Sequence, residues 1–391
     1  MPHILTLSSL YPSSARPRHG IFVEERLRHL VADGEVTATV VAPVPWFPFS
    51  SPRFGAYAEL ARTPATEQRH GLEVLYPRYL SIPKIGMSLA PFLLALALLP
   101  LVRRLKRARP DLALIDSHFL YPDGVAACLV GRLLGLPVLM TARGSDVNLY
   151  PRYRVPRWLL RWAVGRAAQV ITVSAALRNA LLALGADPAK VVTLRNGVDR
   201  QRFRPLDRIP LRSRLELTGM TVISVGNLLE LKGHHLLIEA LPLLPGVTVL
   251  IAGEGPMRAS LERLARDRGV ADRVRLLGNL PQDELIACYN AADVLVLASS
   301  REGMPNVVLE SLACGTPVIA TPVGGIPELI DSEDAGYLLA ERSAVAIATA
   351  VRAIAARPRD RLKVAAQAAR FGWEPTIGAL RRIIRETAAG T

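Results

Sequence analysis

Val294-Leu295-Val296-Leu297-Ala298-Ser299-Ser300-Arg301-Glu302-Gly303-Met304-Pro305-Asn306-Val307-Val308-Leu309-Glu310-Ser311-Leu312-Ala313-Cys314-Gly315 changes its character twice. Four apolar residues without a polar break suit a strand covered on both faces. A polar loop with Gly303 follows, and Pro305 sits where a first helical residue is expected, ahead of an apolar helical run that stops at Gly315. Short Val/Ile/Leu runs of this kind recur at 3–8, 36–42, 112–116, 138–141, 170–173 and 191–194, and again at 221–225, 247–252, 274–277, 293–297 and 317–320. Helical patterns such as Leu236-Leu237-Ile238-Glu239-Ala240-Leu241 separate them. The alternation predicts an α/β protein with two parallel, doubly wound sheets joined near Arg195-Asn196-Gly197-Val198-Asp199. Two such halves facing a central cleft would hold ligands beyond the carboxyl ends of their strands.

The chain of 391 residues suits two or three domains. At 50% hydrophobic and 21% charged residues, it is not disordered or of low complexity. Cys128, Cys288 and Cys314 are too scattered for a disulfide framework or a Cys-rich zinc site, which suits a reducing, cytoplasmic compartment. MPHILTLSSLYP lacks the basic and long apolar regions of a signal peptide and reads as a buried strand.

The net charge of +14 is concentrated: +12 falls in 1–195 and +2 in 196–391. No nucleic-acid recognition motif accompanies it, so nucleic acid is not the expected partner. The basic residues flank apolar stretches at 87–107 and at Val155-Pro156-Arg157-Trp158-Leu159-Leu160-Arg161-Trp162. These read either as helices with a solvated basic face or as elements docking on an anionic membrane surface. The sixteen uncharged residues from Met87 to Val102 are long enough to lie in a membrane but short for crossing one.

The loops carry the candidate chemistry. Unbonded amides and the positive dipole end at the helix start after Gly303 suit a diphosphate. Glu302 and Glu310 supply carboxylates that accept hydrogen bonds from the vicinal hydroxyls of a sugar or ribose. In Val225-Gly226-Asn227-Leu228-Leu229-Glu230-Leu231-Lys232-Gly233-His234-His235 a lysine stands at another helix mouth, one of five lysines beside 43 arginines. A lone ammonium there suits a phosphate. His234 and His235 have no partner at metal-ligand spacing and are expected to be structural.

Taken in order, Asn196-Gly197-Val198-Asp199 with Phe203 and Pro205, Lys232-Gly233, Gly253-Glu254-Gly255-Pro256, Glu302-Gly303-Met304-Pro305 with Glu310, Gly315-Thr316-Pro317-Val318-Ile319-Ala320 and Gly324-Gly325-Ile326-Pro327-Glu328 resemble family 4 retaining glycosyltransferases of the GT-B fold. Tyr11-Pro12, His19-Gly20-Ile21-Phe22-Val23-Glu24, His118-Phe119 with Tyr121-Pro122-Asp123-Gly124, and Thr141-Ala142-Arg143-Gly144-Ser145-Asp146-Val147 look like the branch that builds cell-surface polysaccharides such as teichuronic acid or exopolysaccharide.

The resemblance implies an acceptor-side Rossmann-like domain over 1–195, a nucleotide-sugar-binding domain over 196–367, and a closing segment, 368–391, whose helix crosses back to the first domain. It implies that Glu310 meets ribose and Glu302 the donor sugar. Lys232 with amides around Gly303, Met304, Pro305 and Asn306 would hold the diphosphate. Gly20 would lie against phosphate or acceptor, and His118 would approach the donor sugar. Many members carry Arg in the loop that reads Gly226-Asn227-Leu228 here, so Asn227 marks a departure and Arg143 is a candidate for an added phosphate or acceptor contact. The expected reaction moves a hexosyl unit from a nucleoside-diphosphate sugar, UDP- or GDP-linked, to a lipid-linked or saccharide acceptor with retention. No cofactor is expected beside that co-substrate. With no Asp-x-Asp triplet in the chain, metal independence is expected too. The competing expectation is a catalytically silent nucleotide-sugar binder or scaffold on the same fold.

Overall fold

A computed structural model describes residues 1–81 and 86–390. It divides the chain into two compact units, Met1–Arg195 with Trp373–Thr391, and Asn196–Gly372. Residues 368–372, grouped above with the closing segment, therefore lie in the second unit.

The strands of unit 1 are β1 (His3–Leu7), β2 (Thr37–Val41), β3 (Val44–Pro45), β4 (Thr66–Arg69), β5 (Leu72–Leu75), β6 (Arg78–Tyr79), β7 (Leu112–His118), β8 (Val138–Ala142), β9 (Gln169–Thr172) and β10 (Val191–Thr193). Its main sheet runs β10-β9-β8-β7-β1-β2-β5-β4. All its pairs are parallel except the edge hairpin of β4 with β5. Sequence reading missed this hairpin, because the Thr-Glu-Gln-Arg of β4 has no apolar run and is half solvated. The strand order reverses between β1 and β7, so the loops leaving those two strands diverge and open a crevice.

Unit 2 contains β11 (Thr221–Val225), β12 (Thr248–Ala252), β13 (Val274–Gly278), β14 (Val294–Leu297), β15 (Val318–Ala320) and β16 (Gly336–Leu338). The order β13-β12-β11-β14-β15-β16 is parallel throughout, with the reversal between β11 and β14. Its core includes Val222, Val249, Ile251, Val294 and Val296 under Leu237, Leu261, Ile347 and Val351.

Helix Trp373–Ala389 completes unit 1. Its apolar residues at 373, 377, 380 and 384 follow helical spacing and are all buried. They join Val23, Leu27 and Leu30 of helix Ile21–Val31 in one core. His29 stacks on Trp373 with ring centroids 4.9 Å apart. Arg381 and Arg385 reach Asp33 and Glu35, each at 2.6 Å.

The two apolar stretches of the basic half form helices Gly86–Ala108 and Arg154–Arg166. Each buries one stripe: Pro91, Leu94, Leu98 and Val102 in the first, and Pro156, Leu159, Leu160, Ala163 and Val164 in the second. The opposite side of the first is apolar rather than basic over most of its length. Leu89, Phe92 and Leu96 are exposed there, Leu96 by 71%, and Met87 is exposed at the start of the helix. This helix is long and apolar enough to cross a membrane by length and composition.

Candidate functional site

The candidate residues of unit 2 collect at its strand-order reversal. The loop after β11 carries Gly226, Asn227 and Lys232, and the loop after β14 carries Glu302 to Pro305. Backbone contacts bind the two loops together. Ser300 N donates to Leu231 O at 2.8 Å. Gly233, at φ 75°, lies so close that a Cβ there would stand 2.2 Å from the Ala298 carbonyl oxygen. Gly253 does the same for the Gly226 loop, since its Cβ would fall 1.9 Å from Gly226 O. Gly253 and Gly255 of the Gly-Glu-Gly stretch are therefore required by close packing on this loop. Arg342 joins both loops, with Nε to Ala298 O at 2.8 Å and an Nη to Glu230 O at 2.9 Å.

This frame brings Lys232 and Glu302 into contact. Lys232 Nζ donates to Glu302 Oε1 at 2.6 Å, and Ser299 Oγ donates to the same oxygen at 2.6 Å. The side chains are 21% and 10% exposed, so the pair is largely sheltered yet reachable. Gly303, Met304 and Pro305 are buried. Pro305 caps helix Asn306–Ala313 from outside instead of occupying its first turn, and with no amide hydrogen it cannot donate to a ligand. The first-turn amides of Asn306 and Val307 have no preceding turn to bond. Asn306 Oδ1 accepts from Asn196 Nδ2 at 2.8 Å. Asn227 is exposed on the rim of the loop.

Glu310 projects from the second turn of that helix, and its Oε2 accepts from the Tyr289 hydroxyl at 2.9 Å. Tyr289 belongs to helix Gln282–Ala291 and is fully buried. Burial and the neighbouring carboxylate push its phenol well above the usual range, so it stays a proton donor. Tyr289, Ser299 and Arg342 escaped sequence reading. Tyr289 lies within an apolar helix, where an aromatic reads as core, and the other two are common loop residues.

His234 is buried with Nδ1 3.0 Å from Ser224 Oγ. Burial lowers it to about 4, which suits a neutral structural histidine. Among the described residues no group of three or more His, Cys, Asp or Glu is arranged to hold a metal ion.

In unit 1 the candidates again flank the reversal. Gly20 caps helix Ile21–Val31 at φ 79°, where a Cβ would stand 2.2 Å from Leu10 O. A local close approach thus suffices to demand glycine. His118 ends β7 and is 2% exposed. Its Nε2 lies 3.2 Å from Asp116 Oδ2, and an Arg143 Nη donates to its Nδ1 at 2.6 Å. Burial, together with Arg143 and Arg26, drives the imidazole to about 4 against the pull of Asp116. Both ring nitrogens of His118 thus have protein partners. The contact at Nδ1 orients the Arg143 guanidinium.

Arg143 also stacks its guanidinium over Phe22 at 5.0 Å, and burial with Arg26 beside it lowers it to about 9. Asp146 explains the Arg-Gly-Ser-Asp stretch. Its carboxylate accepts from the amides of Gly144 at 2.7 Å, Leu120 at 2.9 Å and Arg143 at 3.1 Å, which ties the loops after β7 and β8.

Two largely parallel sheets, each reversing strand order and each carrying polar loops at the reversal, define a pair of doubly wound α/β units with candidate ligand loops at the reversals. Residues 20–202 match the family described as Glycosyltransferase Family 4, and residues 208–371 match Glycosyl transferases group 1. The Bacillus subtilis (strain 168) protein named for teichuronic acid biosynthesis, the glycosyltransferase TuaC, is 32% identical over 358 residues, covering 89% of this chain and 88% of its own. Sucrose-phosphate synthase from Thermosynechococcus elongatus superposes with a TM-score of 0.80 at 21% identity over the whole of both chains. Anabaena Alr3699/HepE in complex with UDP-glucose does so at 0.73 and 20%, again over both whole chains. The chain belongs to the family 4 glycosyltransferases of the GT-B fold.

Proposed function

We propose that this glycosyltransferase moves a hexosyl unit from a UDP- or GDP-linked sugar to a lipid-linked or saccharide acceptor, with retention of configuration, in cell-surface polysaccharide synthesis. The observation that carries the reading is the meeting of Lys232 and Glu302 beside a helix start, with Glu310 steadied by Tyr289. The complex of HepE with UDP-glucose supports the donor class, and the name of TuaC supports the pathway class.

On this reading unit 2 takes the donor and unit 1 the acceptor. Glu310 accepts from the ribose hydroxyls and Glu302 from those of the sugar. Cleavage of the glycosyl–phosphate bond leaves negative charge on the diphosphate, met by Lys232 and the amides of Gly303, Met304 and Asn306. Donor binding draws Nζ from Glu302 toward phosphate and frees the carboxylate for the sugar. The charge is met without a metal ion, so transfer persists in EDTA. The exposed Met87, Leu89, Phe92 and Leu96, with Trp158 at 66% exposure, support docking at the anionic inner face of the plasma membrane, where a lipid-linked acceptor resides.

Thermal-shift screening with UDP-, GDP- and ADP-sugars identifies the donor, since a ligand that binds only the folded state raises its melting point. Glu302→Ala and Lys232→Ala should then each lower transfer to membrane extract about 100-fold or more while the fold stays intact. Rates near wild type in either variant would refute the assignment. Nucleotide-sugar binding with no transfer to any acceptor would favour the silent binder.

A further inference from the structure

Unit 1 contains a second polar feature that the donor chemistry does not use. A cavity of about 240 Å³ opens beyond the carboxyl ends of β1 and β2, lined by Tyr11, Arg16, His19, Pro45, Tyr76 and Tyr79 among others. Among the described residues no aspartate or glutamate lines it.

The loop from Ser8 to Gly20 that forms one wall is held at several points. Ser9 donates from its amide at 2.7 Å and its hydroxyl at 2.8 Å to Asp123 Oδ2. The Tyr76 hydroxyl donates to Pro12 O at 2.6 Å, and the Ser14 amide donates to Glu67 Oε1 at 2.9 Å. Gly20 closes the loop against Leu10.

Arg16 sits on this rigid wall. One Nη donates to His19 Nδ1 at 2.8 Å. His19 Nε2 must then carry the proton, and it donates to Ser9 O at 3.2 Å. Burial and Arg16 itself hold that imidazole at about 4, so it remains the neutral acceptor this arrangement needs. Among the described residues no carboxylate lies within ion-pair distance of Arg16, and Glu59 acts on it only at longer range. A guanidinium fixed at one nitrogen, with its other N–H groups lacking a protein acceptor, is prepared for an oxyanion. Tyrosine and proline walls suit the apolar faces of a sugar ring.

We propose that this cavity is an acceptor subsite that selects a saccharide bearing an oxyanion, a phosphate or a carboxylate, through Arg16, with His19 as its positioning residue. The proposal rests on the glycosyltransferase reading and names the acceptor class it leaves open. On the proposed reading unit 2 meets the donor diphosphate, which leaves the cation in unit 1 for a different anion.

Calorimetric titration of the full chain tests it without turnover. The probes are glucose, glucose 6-phosphate, glucuronate and a polyprenyl phosphate in detergent micelles, and UDP serves as an independent probe of unit 2. At least one anionic probe should bind more tightly than glucose, and Arg16→Met should weaken it about 10- to 100-fold, the scale of a lost hydrogen bond to a charged group. Arg16→Lys should lose an intermediate amount. His19→Ala should weaken the same probe, and His19→Asn, whose amide oxygen replaces the Nδ1 acceptor, should restore it. Binding of the soluble anions supports the saccharide assignment, and binding of polyprenyl phosphate alone overturns it by assigning the oxyanion to a lipid headgroup. Lys232→Met should weaken UDP binding and leave the anionic probe untouched, so failure of the donor reading shows separately. The proposal is overturned if glucose binds as well as every anionic probe. It is equally overturned if Arg16→Met, with wild-type melting temperature and UDP affinity, binds the anionic probes unchanged.

Discussion

The contact between Lys232 and Glu302 can be weighed before any substrate is known. At 2.6 Å and an effective dielectric of about 20, the gross attraction of two unit charges is roughly 6 kcal/mol. Desolvation of a glutamate only 10% exposed and a lysine 21% exposed offsets most of it. Because Ser299 still donates to the carboxylate when the lysine is gone, a net coupling of about 1–3 kcal/mol is expected. A double-mutant cycle of Lys232→Met and Glu302→Gln, followed by urea unfolding, measures it directly. Saturating UDP should shrink the coupling, since the ammonium then serves the diphosphate, and Lys232→Met should weaken UDP binding. A coupling below about 0.5 kcal/mol in the free protein would mean that the pair contributes nothing in solution. A coupling that UDP leaves unchanged, with UDP affinity intact in Lys232→Met, would remove Lys232 from the phosphate site.

Three further outcomes follow from the same geometry. Tyr289→Phe removes one buried donor to Glu310 and should weaken nucleotide binding about 10- to 100-fold while leaving the fold in place, and unchanged affinity would separate Glu310 from the ribose. Gly233→Ala forces a Cβ to within 2.2 Å of Ala298 O at a positive φ and should cost about 1–3 kcal/mol, with lost transfer, so wild-type unfolding would contradict the loop contact. Burial raises Asp123 to about 7, above an unfolded value of about 3.9, so its contribution is present at acid pH and lost as pH rises through 7. Asp123→Asn should therefore gain stability relative to wild type between pH 5.5 and 8.5, whereas parallel melting curves would place Asp123 in its ordinary range.

The amino-acid order by itself determined the α/β class, the parallel strands and the loops that carry the donor-site candidates. Those features are local. Apolar runs such as Val294 to Leu297 report burial on both faces, and glycines at 233, 253 and 303 report tight loops. The short edge strands stayed hidden because β4 and β16 have too few buried residues to set a period.

Tertiary structure alone decided which side chains work in pairs. Tyr289 reaches Glu310 across 21 residues and Lys232 reaches Glu302 across 70, distances over which no pattern in the chain carries information about contact. It also decided that His118 is enclosed between Asp116 and Arg143, because the burial of one ring is set by neighbours from two strands and the loop after them. Likewise, Arg16 reads in sequence as one arginine among 43, and only the folding of residues 8–20 over the end of the sheet gives it a neutral histidine and a cavity. Strand formation follows from the hydrophobicity of adjacent residues, whereas a site depends on charges and hydrogen bonds brought together by the crossovers between strands.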